Sequence, residues 1–179
     1  KESDFVGIQT VGFGSKHASD PETIGQYGIG FNVVYHLTDC PSFISNGKTM
    51  CIFDPHCRYV PGASSDKPGG RIELDAKFWQ RYPDLKTAYL LEGLENLEEM
   101  KGGTLFRLPL RQNEQMVRAS KLLPPYPKPR VYDGKIMEEE LERWTPCIIK
   151  SMLFLNSVKD IKMFVIEDGR YGTTCAVKH

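Results

Sequence analysis

The spacing of hydrophobic and polar positions changes along this chain, and each kind of spacing predicts a different element. Short runs of β-branched and aromatic residues, partly alternating with polar ones, predict strands at 42–45, 49–53, 103–110, 161–166 and 173–177. Longer apolar segments predict helices at 4–9, about 28–38, 76–82, 85–97 and 138–154. Segments rich in Gly, Pro, Ser and Asp, chiefly 10–24 and 55–71, predict loops.

Glycine and proline refine these boundaries. Asn46-Gly47 lies between two predicted strands and is a strong signal for a tight hairpin turn. Asp168-Gly169 gives a second hairpin, which would pair 173–177 with 161–166. Pro146 predicts a break in the last helix, because proline removes a helical hydrogen bond and clashes with the preceding turn. The proline-rich segment 124–130 predicts a stiff, extended connector.

This order of elements predicts an α+β fold, a two-layer sandwich in which helices pack on a sheet built from hairpins. A doubly wound parallel sheet would need a regular alternation of strands and helices, which the pattern lacks.

Composition and charge narrow the class of protein. The chain has 179 residues, of which 40% are hydrophobic and 26% charged, as expected for one globular domain with its own core. Lysine plus arginine and aspartate plus glutamate number 23 each, so no long-range field favours nucleic acid or an anionic membrane. No stretch reaches the roughly 18 apolar residues of a membrane span. We therefore expect neither nucleic acid nor a membrane among its partners.

The five cysteines form an odd, unevenly spaced set with no CxxC pair, so a metal site has little support. Reduced thiols in a cytoplasmic protein are the expected state, because disulfides belong mainly to secreted proteins. The chain starts at Lys1 without an initiator Met, and we expect it to be a fragment of a longer polypeptide.

A glycine-rich loop is the strongest functional signal. Gly25, Gly28 and Gly30 follow a GxxGxG spacing and run directly into an apolar segment. Glycine lets a backbone approach a ligand closely, and the free N–H groups at a helix start favour phosphate. The candidate nucleotide-binding residues here are Gly25, Gln26, Gly28, Ile29, Gly30 and Phe31. A tight turn that only serves packing is the alternative, and for Phe31 an anchoring role is the stronger one.

A second motif, Gly103-Thr104-Leu105-Phe106-Arg107-Leu108, follows about seventy-five residues later. Together the two motifs resemble the GHKL ATPases, a family that includes DNA gyrase B, histidine kinases, MutL and the ninety-kilodalton heat-shock chaperone. The resemblance implies that the backbone of the glycine loop holds phosphates and that Thr104 helps to read the adenine. It also implies a GHKL-type sandwich with a mixed, mainly antiparallel sheet, in which 10–27 is a lid-like loop and 103–110 a core strand.

Several further blocks between residue 5 and about 166 resemble the repeated chaperone-like modules of one very large, multidomain co-chaperone. These blocks include Asp20–Asn32, Tyr35–Asp39, Phe53–His56, Phe106–Arg111 and Leu153–Asn156. The resemblance covers nearly the whole chain and implies a single heat-shock-protein-90-like domain over 1–179. Its implied partners are other modules of the same large protein, chaperones or client proteins.

Parts of the family pattern are missing from these residues. The family carries a catalytic glutamate, a magnesium-binding asparagine and an adenine-binding aspartate upstream of the glycine loop. The residues before Ile24 contain neither an Asn-x-x-Asp-Ala nor an Asp-x-Gly-x-Gly pattern. We therefore expect an incomplete N-terminal part of the fold, no catalytic residue, no metal ligand and no ATP hydrolysis by this chain alone. Two alternatives stay open. One is an ATPase that uses ATP and Mg²⁺ once joined to upstream residues, and the other is a scaffold that has lost the nucleotide.

Overall fold

The computed structural model describes residues 30–89, 100–123, 130–155, 158–167 and 170–178. The predicted helix at 4–9, the lid-like loop at 10–27 and nearly all of the connector at 124–130 lie outside these ranges. So does the second half of the helix predicted over 85–97.

A short 3-10 helix, Gly30–His36, opens the described chain. The strands are β1 (Ser42–Ser45), β2 (Thr49–Phe53), β3 (Gly69–Glu73), β4 (Thr104–Arg107), β5 (Asp160–Glu167) and β6 (Arg170–Lys178). The α-helices are α1 (Ala76–Arg81), α2 (Pro83–Tyr89), α3 (Glu114–Ala119) and α4 (Gly134–Ser151), and a 3-10 turn, Met152–Phe154, follows α4.

Strands β1 to β4 form one sheet in the order β3-β2-β1-β4, and β5 pairs with β6. Every pairing among the described strands is antiparallel. The α+β class is therefore confirmed. The two predicted hairpins are also present: residues 46 and 47 both have positive φ, 53° and 66°, which suits a tight turn between twisted strands.

The four-stranded sheet has two faces of different character, because side chains alternate along each strand. The aliphatic face contains Ile44, Met50 and Leu105, and it packs against α1 and α2. The aromatic face contains Phe43, Phe53 and Phe106, and the 3-10 helix at 30–36 packs on it. The sheet therefore has a covering element on both sides.

Three predictions are wrong or incomplete. The loop predicted over 55–71 ends in strand β3, whose Gly69-Gly70 start masked its strand character because glycine has low β-propensity. The helix predicted at 28–38 is a 3-10 helix over its described part. Helix α3, begun by the Asn113 cap, was not predicted at all.

The predicted break at Pro146 is also wrong, because α4 runs continuously through it for 18 residues. The helix begins earlier than predicted, at the Asp133 cap, whose carboxylate accepts from the Ile136 amide at 2.8 Å. Pro146 has no N–H group to donate to the carbonyl of Glu142, four positions earlier. Both residues are exposed, so this carbonyl need not be buried without a partner. Among the described helices, none combines the length and apolar character that a bilayer crossing needs.

Candidate functional site

Phe31 fixes the start of the 3-10 helix to the aromatic face. Its ring centroid lies 5.0 Å from that of Phe53 and 6.2 Å from that of Phe106. Among the described residues, a Cβ added at Gly30, one residue earlier, would meet no atom within 4 Å. The helix is thus held by the ring of Phe31, and no described residue crowds Gly30.

Thr104 starts strand β4 and is exposed. It lies two residues before Phe106, so both side chains are on the same side of the sheet. Phe106 contacts Phe31, and the described parts of the two sequence motifs therefore share the aromatic face. The other candidates, Gly25, Gln26, Gly28 and Ile29, lie outside the described residues.

A cavity of about 470 Å³ lies beside the 3-10 helix. Phe31, Tyr35 and Phe53 give it an aromatic wall. The charged groups of its lining are two cations and one carboxylate, from Lys67, Arg71 and Asp66. Aromatic rings with an excess of one positive charge suit a planar group that carries negative charge. Gly30 and Thr104 do not line it, although they lie on the same face of the sheet.

A buried ion pair lies at the other end of the 3-10 helix. The Nε and Nη2 atoms of Arg111 donate to Oδ1 of Asp39 at 3.1 and 2.7 Å. The Arg111 side chain is only 1% exposed. A charge taken so far from water needs a complete set of partners, and Asp39 is the one that neutralises it.

Arg111 also holds the backbone that follows the 3-10 helix. Its Nη1 donates to the His36 carbonyl at 3.0 Å, and its Nη2 donates to the carbonyls of Tyr35 and Thr38 at 2.8 and 3.0 Å. These are carbonyls at a helix end, which need partners outside the helix. The chain that leaves β4 is therefore joined directly to the end of the helix that follows the glycine loop.

Asp39 has two further neighbours, Ser120 and His56. Ser120 donates its hydroxyl to Oδ1 of Asp39 at 2.6 Å. The Nε2 atom of His56 lies 3.9 Å from the same oxygen, but it accepts from the Lys121 amide at 2.9 Å. His56 thus links the segment after β2 to the segment after α3.

The Asp39 carboxyl should make stability depend on acid pH. Burial acts to raise its pKa, but hydrogen bonds from Arg111 and Ser120 and the Arg111 charge outweigh burial and hold the pKa below 3.8. A depressed folded-state pKa gives stability that is present above the unfolded pKa and lost as pH falls through the folded one. Urea unfolding between pH 6 and pH 2 should show the advantage of the wild type over Asp39→Asn shrinking towards acid. A constant difference would contradict this.

Asp39 and Arg111 lie in blocks that carry the family resemblance, but the sequence alone assigned them no role, since 72 residues separate them. The four cysteines whose state the structure describes, at 40, 51, 57 and 147, are free thiols. Within the described ranges, no three His, Cys, Asp or Glu side chains are grouped to hold a metal ion.

Comparison with known proteins shows which family this chain belongs to. A protein-family model described as "Sacsin domain" matches residues 1–177. Human sacsin is 48% identical to the chain over 122 residues, which are 68% of this chain and 2% of that protein. The chain thus spans only a small part of the relative that it matches.

Proposed function

The chain belongs to the sacsin domain family, and we propose that it is a chaperone or co-chaperone module with a heat-shock-protein-90-like, GHKL-type nucleotide-binding fold. The resemblance carried by the sequence blocks is to sacsin, and the family match confirms it. We further propose that the module works in the cytoplasm, next to other modules of a much larger protein.

One observation carries the nucleotide part of this proposal. The described ends of the glycine motif and of the threonine motif share the aromatic face, joined by the contact between Phe31 and Phe106. In the family that these motifs resemble, the first holds phosphates and the second reads the adenine. A shared face is the arrangement that such a joint role requires.

We do not propose that this chain alone hydrolyses ATP. The chain holds no Asn-x-x-Asp-Ala pattern, so it offers neither the family's base for water nor its main Mg²⁺ ligand. Joined to upstream residues that supply them, the same site could act as an ATPase. A scaffold that binds no nucleotide is the competing function.

Two substitutions test the nucleotide site without disturbing the fold. Gly30→Ala adds a methyl group that meets no atom of a described residue within 4 Å, and Thr104→Val keeps the shape of an exposed side chain while removing its hydroxyl. Calorimetry with ATP and Mg²⁺ should show affinity reduced in both, by about 3- to 10-fold for Thr104→Val if one hydrogen bond is lost. Thermal unfolding should place both variants within about 0.5 kcal/mol of the wild type.

The control is Ser151→Ala, which removes an exposed hydroxyl at the end of α4, where Ser151 donates to the Ile148 carbonyl at 2.8 Å. ATP affinity should not change in that variant. If neither the chain nor an N-terminally extended polypeptide binds ATP, the nucleotide proposal fails and the scaffold remains.

The chaperone part is tested separately, by whether the chain suppresses light scattering from a heated client enzyme. Unchanged scattering would contradict it.

A further inference from the structure

A second cavity, of about 720 Å³, lies on the aliphatic side of the sheet. Its sheet wall includes Met50, Ile52 and Ile72, and helices α1 and α2 contribute Phe78 and Leu85. This volume falls within the range of about 300–1,000 Å³ that small-molecule sites occupy. The glycine and threonine motifs meet on the opposite face. The two cavities approach each other at the edge of the sheet, where both are lined by Lys67, Gly69, Gly70 and Arg71 of the β3 region and by Ile52.

The cavity wall is apolar over most of its extent. Met50 is fully buried, and Ile52, Ile72 and Phe78 are packed around it in the core cluster of the aliphatic face. Side chains of this kind bind hydrocarbon by removing it from water, and they give no partner to a polar group. The main body of a matching ligand is therefore apolar.

Polar groups lie together in one part of the wall. The hydroxyl groups of Ser42 and Tyr89 share a hydrogen bond, and Tyr89 is 4% exposed. Burial raises the pKa of the Tyr89 phenol above its usual 10.0, so the phenol stays neutral in the physiological range. The guanidinium of Arg107 lies over the Tyr89 ring, 5.8 Å from its centroid. This part of the cavity offers hydroxyl groups and one cation.

The charges of the lining are not balanced. Four cations line the cavity, Lys67, Arg71, Arg107 and Arg111, against the single carboxylate of Asp39. Arg111 is neutralised by Asp39, and Arg71 lies 3.5 Å from Glu73. Among the described residues, neither Arg107 nor Lys67 has a carboxylate within ion-pair distance. An anionic group would complete this end of the cavity.

We propose that the cavity binds an amphipathic carboxylate, a molecule of the medium-chain fatty acid class. Its hydrocarbon body lies against Ile52, Ile72 and Phe78, and its carboxylate lies at Arg107. A planar guanidinium matches a carboxylate through two parallel hydrogen bonds, which gives one geometry as well as charge. The site does not rest on the proposed nucleotide function, since it lies on the other face of the sheet.

Calorimetry with three ten-carbon probes tests the proposal on the intact chain. Decanoate should bind, decanol should bind about tenfold or more weakly, and decylammonium should bind least, because only decanoate carries the charge that Arg107 complements. Arg107→Gln should lower decanoate affinity to that of decanol and leave decanol affinity unchanged. Arg118→Gln, which removes an exposed arginine outside the cavity, is the matched control and should change nothing.

A second variant tests the location of the site independently of charge. Leu85→Trp places a larger side chain on the cavity wall at a half-buried position of α2, and it should abolish binding of both decanoate and decanol. Circular dichroism should show both variants folded. Absence of decanoate binding by the wild type would overturn the proposal. Decanoate binding that Arg107→Gln leaves unchanged, or that ATP displaces, would overturn it equally.

Discussion

Replacing Asp39 by alanine is expected to lower the free energy of unfolding by about 3–5 kcal/mol, because it leaves the Arg111 guanidinium buried without a counter-charge. Arg111 donates two hydrogen bonds to Oδ1 of Asp39, and the side chains are 1% and 8% exposed. The Ser120 hydroxyl loses the acceptor of its proton in the same variant, although it still accepts from the Leu122 amide. The cost therefore has two sources, the uncompensated charge and this lost hydrogen bond.

Urea unfolding followed by circular dichroism measures this loss. Glu114→Ala is the control, since it breaks an exposed pair with Arg118 and should cost no more than about 0.5 kcal/mol. The double variant Asp39→Leu with Arg111→Met should be more stable than Asp39→Ala, because it removes both charges from the interior. A loss in Asp39→Ala as small as that in Glu114→Ala would contradict the role given to the pair.

Gly69→Ala is expected to destabilise the protein by about 2–4 kcal/mol, because backbone strain and a steric clash act together. Gly69 has a φ of +146°, a conformation that residues with a Cβ rarely adopt. An added Cβ would overlap the carbonyl oxygen of Ile52 and lie 3.2 Å from Cα of Phe53. Both contacts are with backbone of β2, which cannot move without opening the β2–β3 pairing.

Substitutions at two other glycines distinguish the contribution of backbone strain from that of the steric clash. Gly102 also has a positive φ, +77°, but a Cβ there would meet no atom of a described residue within 4 Å, so Gly102→Ala should cost only about 1 kcal/mol. Gly134 starts α4, where a Cβ is likewise clear of all described residues, and Gly134→Ala should be neutral or stabilising by up to about 1 kcal/mol. Thermal unfolding of the three variants gives the order. Equal losses for Gly69→Ala and Gly102→Ala would show that the clash is absent.

Elements set by neighbouring residues could be predicted from the sequence. Strands β1 and β2 have the predicted bounds, because the Asn46-Gly47 turn fixes the register between them. Strand β4 falls within the predicted 103–110, where a turn glycine precedes an alternating segment. The hairpin of β5 and β6 followed from the same kind of local pattern. In each case the physical cause lies within about ten residues of chain.

Elements set by distant parts of the chain could not be predicted in this way. Strand β3 forms because β2 offers it a partner, although its first two residues are glycines. Helix α4 continues through Pro146, where local propensity alone predicted a break. Tertiary context overrides local preference at β3, whereas at Pro146 the helix continues because the carbonyl that loses its partner is on an exposed side.

In the candidate site, too, local features could be predicted from the sequence and long-range contacts could not. The glycine and threonine motifs were found as local patterns, and their common face required the pairing of β1 with β4. The Asp39–Arg111 pair could not be derived from spacing, because nothing near either residue indicates a partner 72 positions away. The cavity on the aliphatic face depends on α1 and α2 lying over the sheet, which the sequence indicated only as two short helices.

The same 72-residue separation also bears on how the chain assembles. The β1–β2 hairpin closes within a few residues, whereas Asp39 and Arg111 meet only after the whole intervening segment has been brought round. Loop closure of that size is slow in comparison with a hairpin, so the ion pair forms late in folding. Contacts absent from the folding transition state chiefly slow unfolding. We therefore expect the pair between Asp39 and Arg111 to lengthen the lifetime of the folded domain more than it speeds its formation.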